Sequence, residues 1–191
     1  MDENLQTVST TFEGFFEQKG SKFISFLIPF SEFDATMERL KNIHPKAVHF
    51  VYAYRFFNEF NQIVENLSDD GEPKGTSAKP VLKVLQGNNL INCAIIVVRY
   101  FGGTKLGTGG LVKAYTQSAN DVISRAVFEV FEHLHQKIYT LIYTNLSKFE
   151  YEAKQNKITI IEKKFDNSVQ ITIESSLEKI ENFEEKIKDL I

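Results

Sequence analysis

Residues 91–115 read INCAIIVVRYFGGTKLGTGGLVKAY, and the architecture of the chain is organised around them. The first ten, rich in Ile and Val without polar alternation, predict a central strand covered on both faces. Five of the ten glycines then fall between positions 99 and 115, interrupted by Lys105 and followed by Lys113. This pattern predicts a strand end, a glycine loop and a helix start. From Thr108 or Gly109, the spacing of Leu111, Tyr115, Ala119, Val122, Ala126 and Val130 predicts a helix to about Phe131, the longest in the chain.

Upstream, residues 68–80 (SDDGEPKGTSAKP) form a second loop of the same character. Thr76 or Ser77 is the expected cap of a helix over 77–86, with Pro80 in its first turn, where a missing N–H costs little. A helix leading into a strand packed beside it runs antiparallel to that strand, so the start of this helix belongs near the end of strand 91–100. Two helix N-termini then face one region, each with unpaired N–H donors and a positive dipole end. Gly102, Gly103, Gly107, Gly109 and Gly110 open the backbone to a ligand. Lys79, Arg99, Lys105 and Lys113 supply charge, and Tyr100 and Phe101 offer rings for stacking on a base. An anion is the ligand such a surface favours, phosphate above all. Asp69, Asp70, Gly71, Glu72, Pro73, Gly75 and Thr76 structure the first loop. The alternative is a tight strand-to-helix turn in which the acids of that loop neutralise Arg99, Lys79 or Lys105.

Charge supports the anion reading locally. The net charge is -3, yet residues 73–120 hold no Asp or Glu and carry Lys74, Lys79, Lys83, Arg99, Lys105 and Lys113, so all 25 acids lie elsewhere. The glycine spacing matches neither the P-loop nor the dinucleotide fingerprint. A hard cation on the turn formed by Asp69, Asp70 and Glu72 is a weaker alternative, and no cofactor or metal is assigned. Ser77, His49 and Asp70 lack a nucleophile-elbow context, so no catalytic residue is assigned. His49 in a strand reads as a core histidine, the His133 and His135 pair lacks further ligands, and the single Cys93 reads as a buried apolar residue.

The rest of the chain predicts a hairpin over 6–18 and 22–30 about Gly20, and a helix from a Ser31 cap to about Asn42. Strands follow at 47–57 and 62–67. After a boundary at 133–135 come a strand (136–144), a helix (146–156), a hairpin (157–165 and 168–175) and a helix (177–190). The domains expected are therefore 1–135 and 136–191. The opening MDENLQTVST lacks the regions of a signal peptide and no apolar run approaches a membrane span, which predicts a cytoplasmic protein without a membrane partner.

The segment SDDGEPKGTSAKPVL followed by VVRYFGGTKLGTGGLVKAY, with KGSKFI and HPKAVHFVYAYR before them, closely resembles the signature of the IMPACT/YigZ family across essentially the whole chain. Ser77 and Ala78 depart from the commoner Ala-Gly. The resemblance implies an α+β protein. Its N-terminal domain would have the β-α-β fold shared with a small-subunit ribosomal protein, elongation factor domain IV and galactokinase-type kinases. Its C-terminal domain would be ferredoxin-like, without a clear final strand. It also implies a non-catalytic, translation-linked regulator with RNA, a ribosome or a ribosome-associated protein as partner. The competing readings are a magnesium-dependent enzyme acting on a phosphorylated small molecule and a protein-interaction module.

Overall fold

The computed structural model describes residues 5–191, so the first four residues of MDENLQTVST lie outside the described residues. The chain divides into two α+β units, Met1–Phe131 and Glu132–Ile191. The first strand of the second unit begins at Leu134.

In the first unit a short β1 (Gln6–Thr7) precedes the hairpin of β2 (Phe12–Gln18) and β3 (Ser21–Pro29). Lys19 and Gly20 turn it with φ of 48° and 76°, the positive values that two-residue hairpin turns need. A 3-10 turn at Phe30–Glu32 leads into α1 (Phe33–Ile43), and Ser31 falls inside that turn instead of capping the helix. Then come β4 (His49–Phe57), β5 (Ile63–Ser68), α2 (Ala78–Gly87), β6 (Cys93–Tyr100), α3 (Gly107–Arg125) and β7 (Glu129–Val130). The five-stranded sheet has the order β2-β3-β6-β4-β5, with every neighbouring pair antiparallel. β6 is central, as its apolar run predicts. Because side chains alternate across a strand, Cys93, Ile95 and Val97 join the core built with α2 and α3, while Ala94, Ile96 and Val98 join Leu40 of α1 on the other face.

Two expectations are corrected here. The first arm of the hairpin starts at Phe12, since Gln6 and Thr7 pair with Val130 and Glu129 of β7. For the same reason α3 ends at Arg125 rather than Phe131. Ala126 turns extended, with ψ 150°, and the β-branched and aromatic run VFEVF that follows favours a strand over a helix. Val130, placed on the apolar helical face by spacing, is 73% exposed. Leu111, Tyr115, Ala119 and Val122 are buried as predicted. Gly14 in β2 lets α3 approach the sheet closely: a Cβ there would lie 2.7 Å from the Val122 nitrogen and from Ser25 Oγ.

The second unit contains β8 (Leu134–Leu141), α4 (Leu146–Gln155), β9 (Thr159–Phe165), β10 (Val169–Ser176) and α5 (Leu177–Ile187). Its antiparallel sheet has the order β8-β10-β9. Inward residues of β8 and β10, among them Tyr139, Leu141, Val169, Ile171 and Ile173, pack on Phe149, Ala153, Ile180, Phe183 and Ile187 of the two helices.

Candidate anion site built by two loops

β6 ends with neighbouring residues on opposite faces of the sheet. Arg99 follows Cys93, Ile95 and Val97 toward α2 and α3, while Tyr100 turns to the α1 side, where its hydroxyl lies 2.8 Å from His44 Nδ1. Tyr100 therefore does not meet the other predicted site residues. Register adds a residue that sequence alone assigns to the core: His49 of β4 stands directly opposite Arg99.

The first loop folds back onto Arg99. Glu72, 8% exposed, accepts hydrogen bonds at Oε1 from Arg99 Nη1 and, at 2.7 Å, from the Tyr115 hydroxyl of α3. Arg99 is 5% exposed, and its Nη2 lies 3.5 Å from Ser21 Oγ. Its guanidinium carbon stands 5.4 Å from the Phe23 ring centroid and 5.9 Å from that of Phe101. Arg99 Nε is buried without a hydrogen-bond partner among the described residues. Burial, and next the Glu72 charge, push the Tyr115 hydroxyl above its ordinary value, so it stays a donor. His49 Nδ1 lies 2.7 Å from the Asp70 carbonyl oxygen, which only accepts, so Nδ1 carries the proton. His49 Nε2 is left 3.7 Å from Glu72 Oε1.

Asp69 organises the loop and caps α2. Its carboxylate accepts from Gly75 N–H at 2.7 Å, Ala78 N–H at 2.8 Å, Ser77 N–H at 3.2 Å and the Ser77 hydroxyl. Thr76 and Ser77 thus do not cap the helix with their own side chains. The Thr76 hydroxyl instead donates to the Pro73 carbonyl at 2.7 Å. Burial works to raise the Asp69 carboxyl, but the hydrogen bonds from Gly75, Ser77 and Ala78 outweigh it and hold the group below its usual range. Asp70 accepts from Phe50 N–H, and a Cβ placed on Gly71, whose φ is 86°, would lie 3.6 Å from the His49 ring. The three carboxylates of the turn diverge to different partners. Among the described residues no group of three or more His, Cys, Asp and Glu is placed to hold a metal ion.

The glycines of the second loop divide by physical role. A Cβ on Gly102 would fall 1.9 Å from the Gly20 carbonyl carbon, so Gly102 seats the loop against the β2–β3 turn, and its N–H donates to Ser21 Oγ at 3.1 Å. Gly103 and Gly107 have φ of 83° and 72°. A Cβ on Gly109 would meet open space, and one on Gly110 would lie 3.1 Å from Leu106 Cβ. Between the loops lies a cleft of about 410 Å³, walled by His49, Glu72, Pro73, Arg99, Phe101 and the segment Lys105, Leu106, Gly107, Thr108 and Leu111. The α3 N-terminus opens on it. A second groove of about 610 Å³, between α2 and α3, is lined by Lys79, Lys83, Val112 and Thr116 among others. Lys74, Lys79, Lys83, Lys105 and Lys113 are exposed, whereas Arg99 is tied to Glu72. That buried pair corrects the expectation of Arg99 as a free phosphate anchor.

Fold and site together define a two-unit α+β protein whose first unit presents a lysine-rich surface around two helix starts. Residues 19–123 match the family model described as Impact N-terminal domain, and residues 140–191 match the one described as Domain of unknown function (DUF1949). The chain belongs to the IMPACT family. It is 30% identical over 178 residues to an IMPACT family member of Haemophilus influenzae, covering 91% of this chain and 85% of that one. It is 31% identical over 176 residues to the IMPACT family member YigZ of Escherichia coli, covering 91% and 86%. A solved crystal structure described as that of a hypothetical protein superposes with a TM-score of 0.73 at 29% identity, covering 97% of this chain and 91% of that one.

Proposed function

We propose that this IMPACT family protein is a non-catalytic, cytoplasmic, translation-linked regulator that binds RNA through the surface around the starts of α2 and α3. The observation that carries the reading is the placement of charge. Lys74, Lys79, Lys83, Lys105 and Lys113 are exposed within two turns of those helix starts, in a run of sequence with no acid. Such a surface attracts the phosphate backbone without reading sequence, and the dipole of α3 adds to the same field. The translation link comes from resemblance to the family, and the ribosomal-protein-type fold of the first unit is part of the same proposal. The order β8-β10-β9 fits three of the four strands of a ferredoxin-like sheet, which supports that reading of the second unit.

Affinity capture of the full chain from lysate, with and without nuclease treatment, tests the proposal. RNA is expected in the untreated eluate, and nuclease is expected to remove most associated protein. Capture of a protein partner that survives nuclease, with no RNA recovered, overturns the RNA reading in favour of a protein-interaction surface.

A further inference from the structure

The sheet of the second unit has two edges, β8 and β9, and they are built differently. We infer that β8 is a self-association surface, on which β8 of a second copy of this chain pairs antiparallel.

The backbone hydrogen bonds of this eight-residue strand all run to β10. Half of its N–H and C=O groups therefore point away from the sheet, without a partner among the described residues. Other edge strands carry protection against pairing. β9 sets Glu162, Lys163 and Lys164 in succession, and a register shift opposite Thr172 and Ile173 bulges it. In the first unit, the Phe15 N–H of β2 is taken by the Asp121 carboxylate at 2.8 Å. β8 has neither a proline nor a register shift against β10. Its one permanently charged residue, Lys137, is drawn to Glu184 of α5 at 2.6 Å.

The side chains identify the occupant. Alternation sends Tyr139 and Leu141 into the core with α4 and α5, and Leu134, Ile138 and the extended Ile142 to the opposite face. Those three are 59%, 64% and 62% exposed. The row is complementary to itself. In an antiparallel pair centred on Ile138, that residue meets its own copy, Leu134 meets Ile142 of the copy, and Gln136 meets Thr140. On the other face Lys137 meets Tyr139 and His135 meets Leu141, so no lysines oppose each other. Centring the pair on Lys137 instead would set two lysines face to face and place Leu134 against Thr140. The Ile138 register thus satisfies both the apolar row and the charge, and its two-fold symmetry closes the assembly at two copies. The two three-stranded sheets become one continuous sheet of order β9-β10-β8-β8-β10-β9. The contact is one strand wide, below the roughly 1,600 Å² of a standard interface, so micromolar association is expected.

The test is sedimentation of the full chain over roughly 1–200 μM, a range that brackets such an affinity. The mass is expected to rise from the 21.9 kDa of one chain toward twice that value. Amide hydrogen exchange across 134–141 is expected to slow roughly tenfold at about ten times the dissociation constant, with β9 unchanged. Ile138→Lys sets two lysines together on the symmetry axis and is expected to weaken association roughly tenfold or more. The side chain it replaces is 64% exposed, so the far-ultraviolet circular dichroism of the chain stays the same. Leu134→Lys repeats the test at the end of the row. Ile161→Lys on β9, at a position 43% exposed, leaves association unchanged. A mass of one chain across the whole range, association that survives Ile138→Lys, or new protection on β9 rather than β8 overturns the inference.

Discussion

Glu72→Ala tests the organisation of the site most sharply, because one carboxylate oxygen joins the first loop to β6 and to α3. That oxygen accepts from Arg99 Nη1 and from the Tyr115 hydroxyl, with His49 Nε2 at 3.7 Å. Truncation leaves a guanidinium that is 5% exposed with no counter-charge, beside an Nε that already lacks an acceptor, and a buried phenol without a partner. Breaking one side of a buried ion pair typically costs about 3–5 kcal/mol. The cleft admits water to part of the gap, so the lower figure applies, about 3 kcal/mol. In calorimetry of the full chain, a shift of about 2–4 °C per kcal/mol makes this a fall in Tm of roughly 6–12 °C. Glu72→Gln keeps an acceptor for Tyr115 and should lose less. The pair Glu72→Leu with Arg99→Met removes both charges, so its loss should be smaller than the sum of the single changes by roughly 2 kcal/mol. A Glu72→Ala protein within about 0.5 kcal/mol of the parent would refute the buried pair.

Glycine substitutions separate architecture from access. Gly102→Ala drives a Cβ to within 1.9 Å of the Gly20 carbonyl carbon and should abolish soluble folded protein, whereas Gly109→Ala, with open space around it, should leave the urea midpoint unchanged or raise it by up to about 1 kcal/mol in stability. The Asp69 carboxyl is held below its usual value in the native state, so its stabilisation is complete above an unfolded pKa of about 3.9 and is lost as pH falls from there through the native value. Acid unfolding followed by circular dichroism should therefore show a shallower fall below that point in Asp69→Asn, from an already lower starting stability. Burial pushes the Cys93 thiol up to about 12, so a thiol reagent at neutral pH should label it only at the rate of unfolding, with labelling accelerated by urea.

What the sequence disclosed depended on whether a feature was local. The strand at 93–100 was legible because both of its faces are apolar, and the meeting of the two loops followed from helix and strand direction alone. The cap of α2 was not, because Asp69 reaches it from eight residues upstream of Ser77 and a Ser at the boundary is the commoner solution. The end of α3 is obscured because Ala126 and Val130 continue the helical spacing while pairing of β7 with β1 overrides it. Gly102 looks like a ligand glycine, yet its constraint comes from Gly20, which only the tertiary fold brings near. His49 needs the β4–β6 register, which no pattern within one strand reveals. Tyr100 is different. Strand alternation by itself sends it to the face opposite Arg99, and that signal was present in the sequence.

The central claim, an electrostatic RNA surface around the two helix starts, is tested most directly by the salt dependence of binding. Fluorescence anisotropy of a labelled single-stranded RNA against the full chain should give a slope of log affinity on log salt of about -3.5 for five lysines, a loss of roughly 100-fold between about 50 and 200 mM. Lys105→Glu with Lys113→Glu should lower the affinity across RNA sequences and flatten that slope. Binding that is insensitive to salt, or unchanged by the double reversal, would contradict the account.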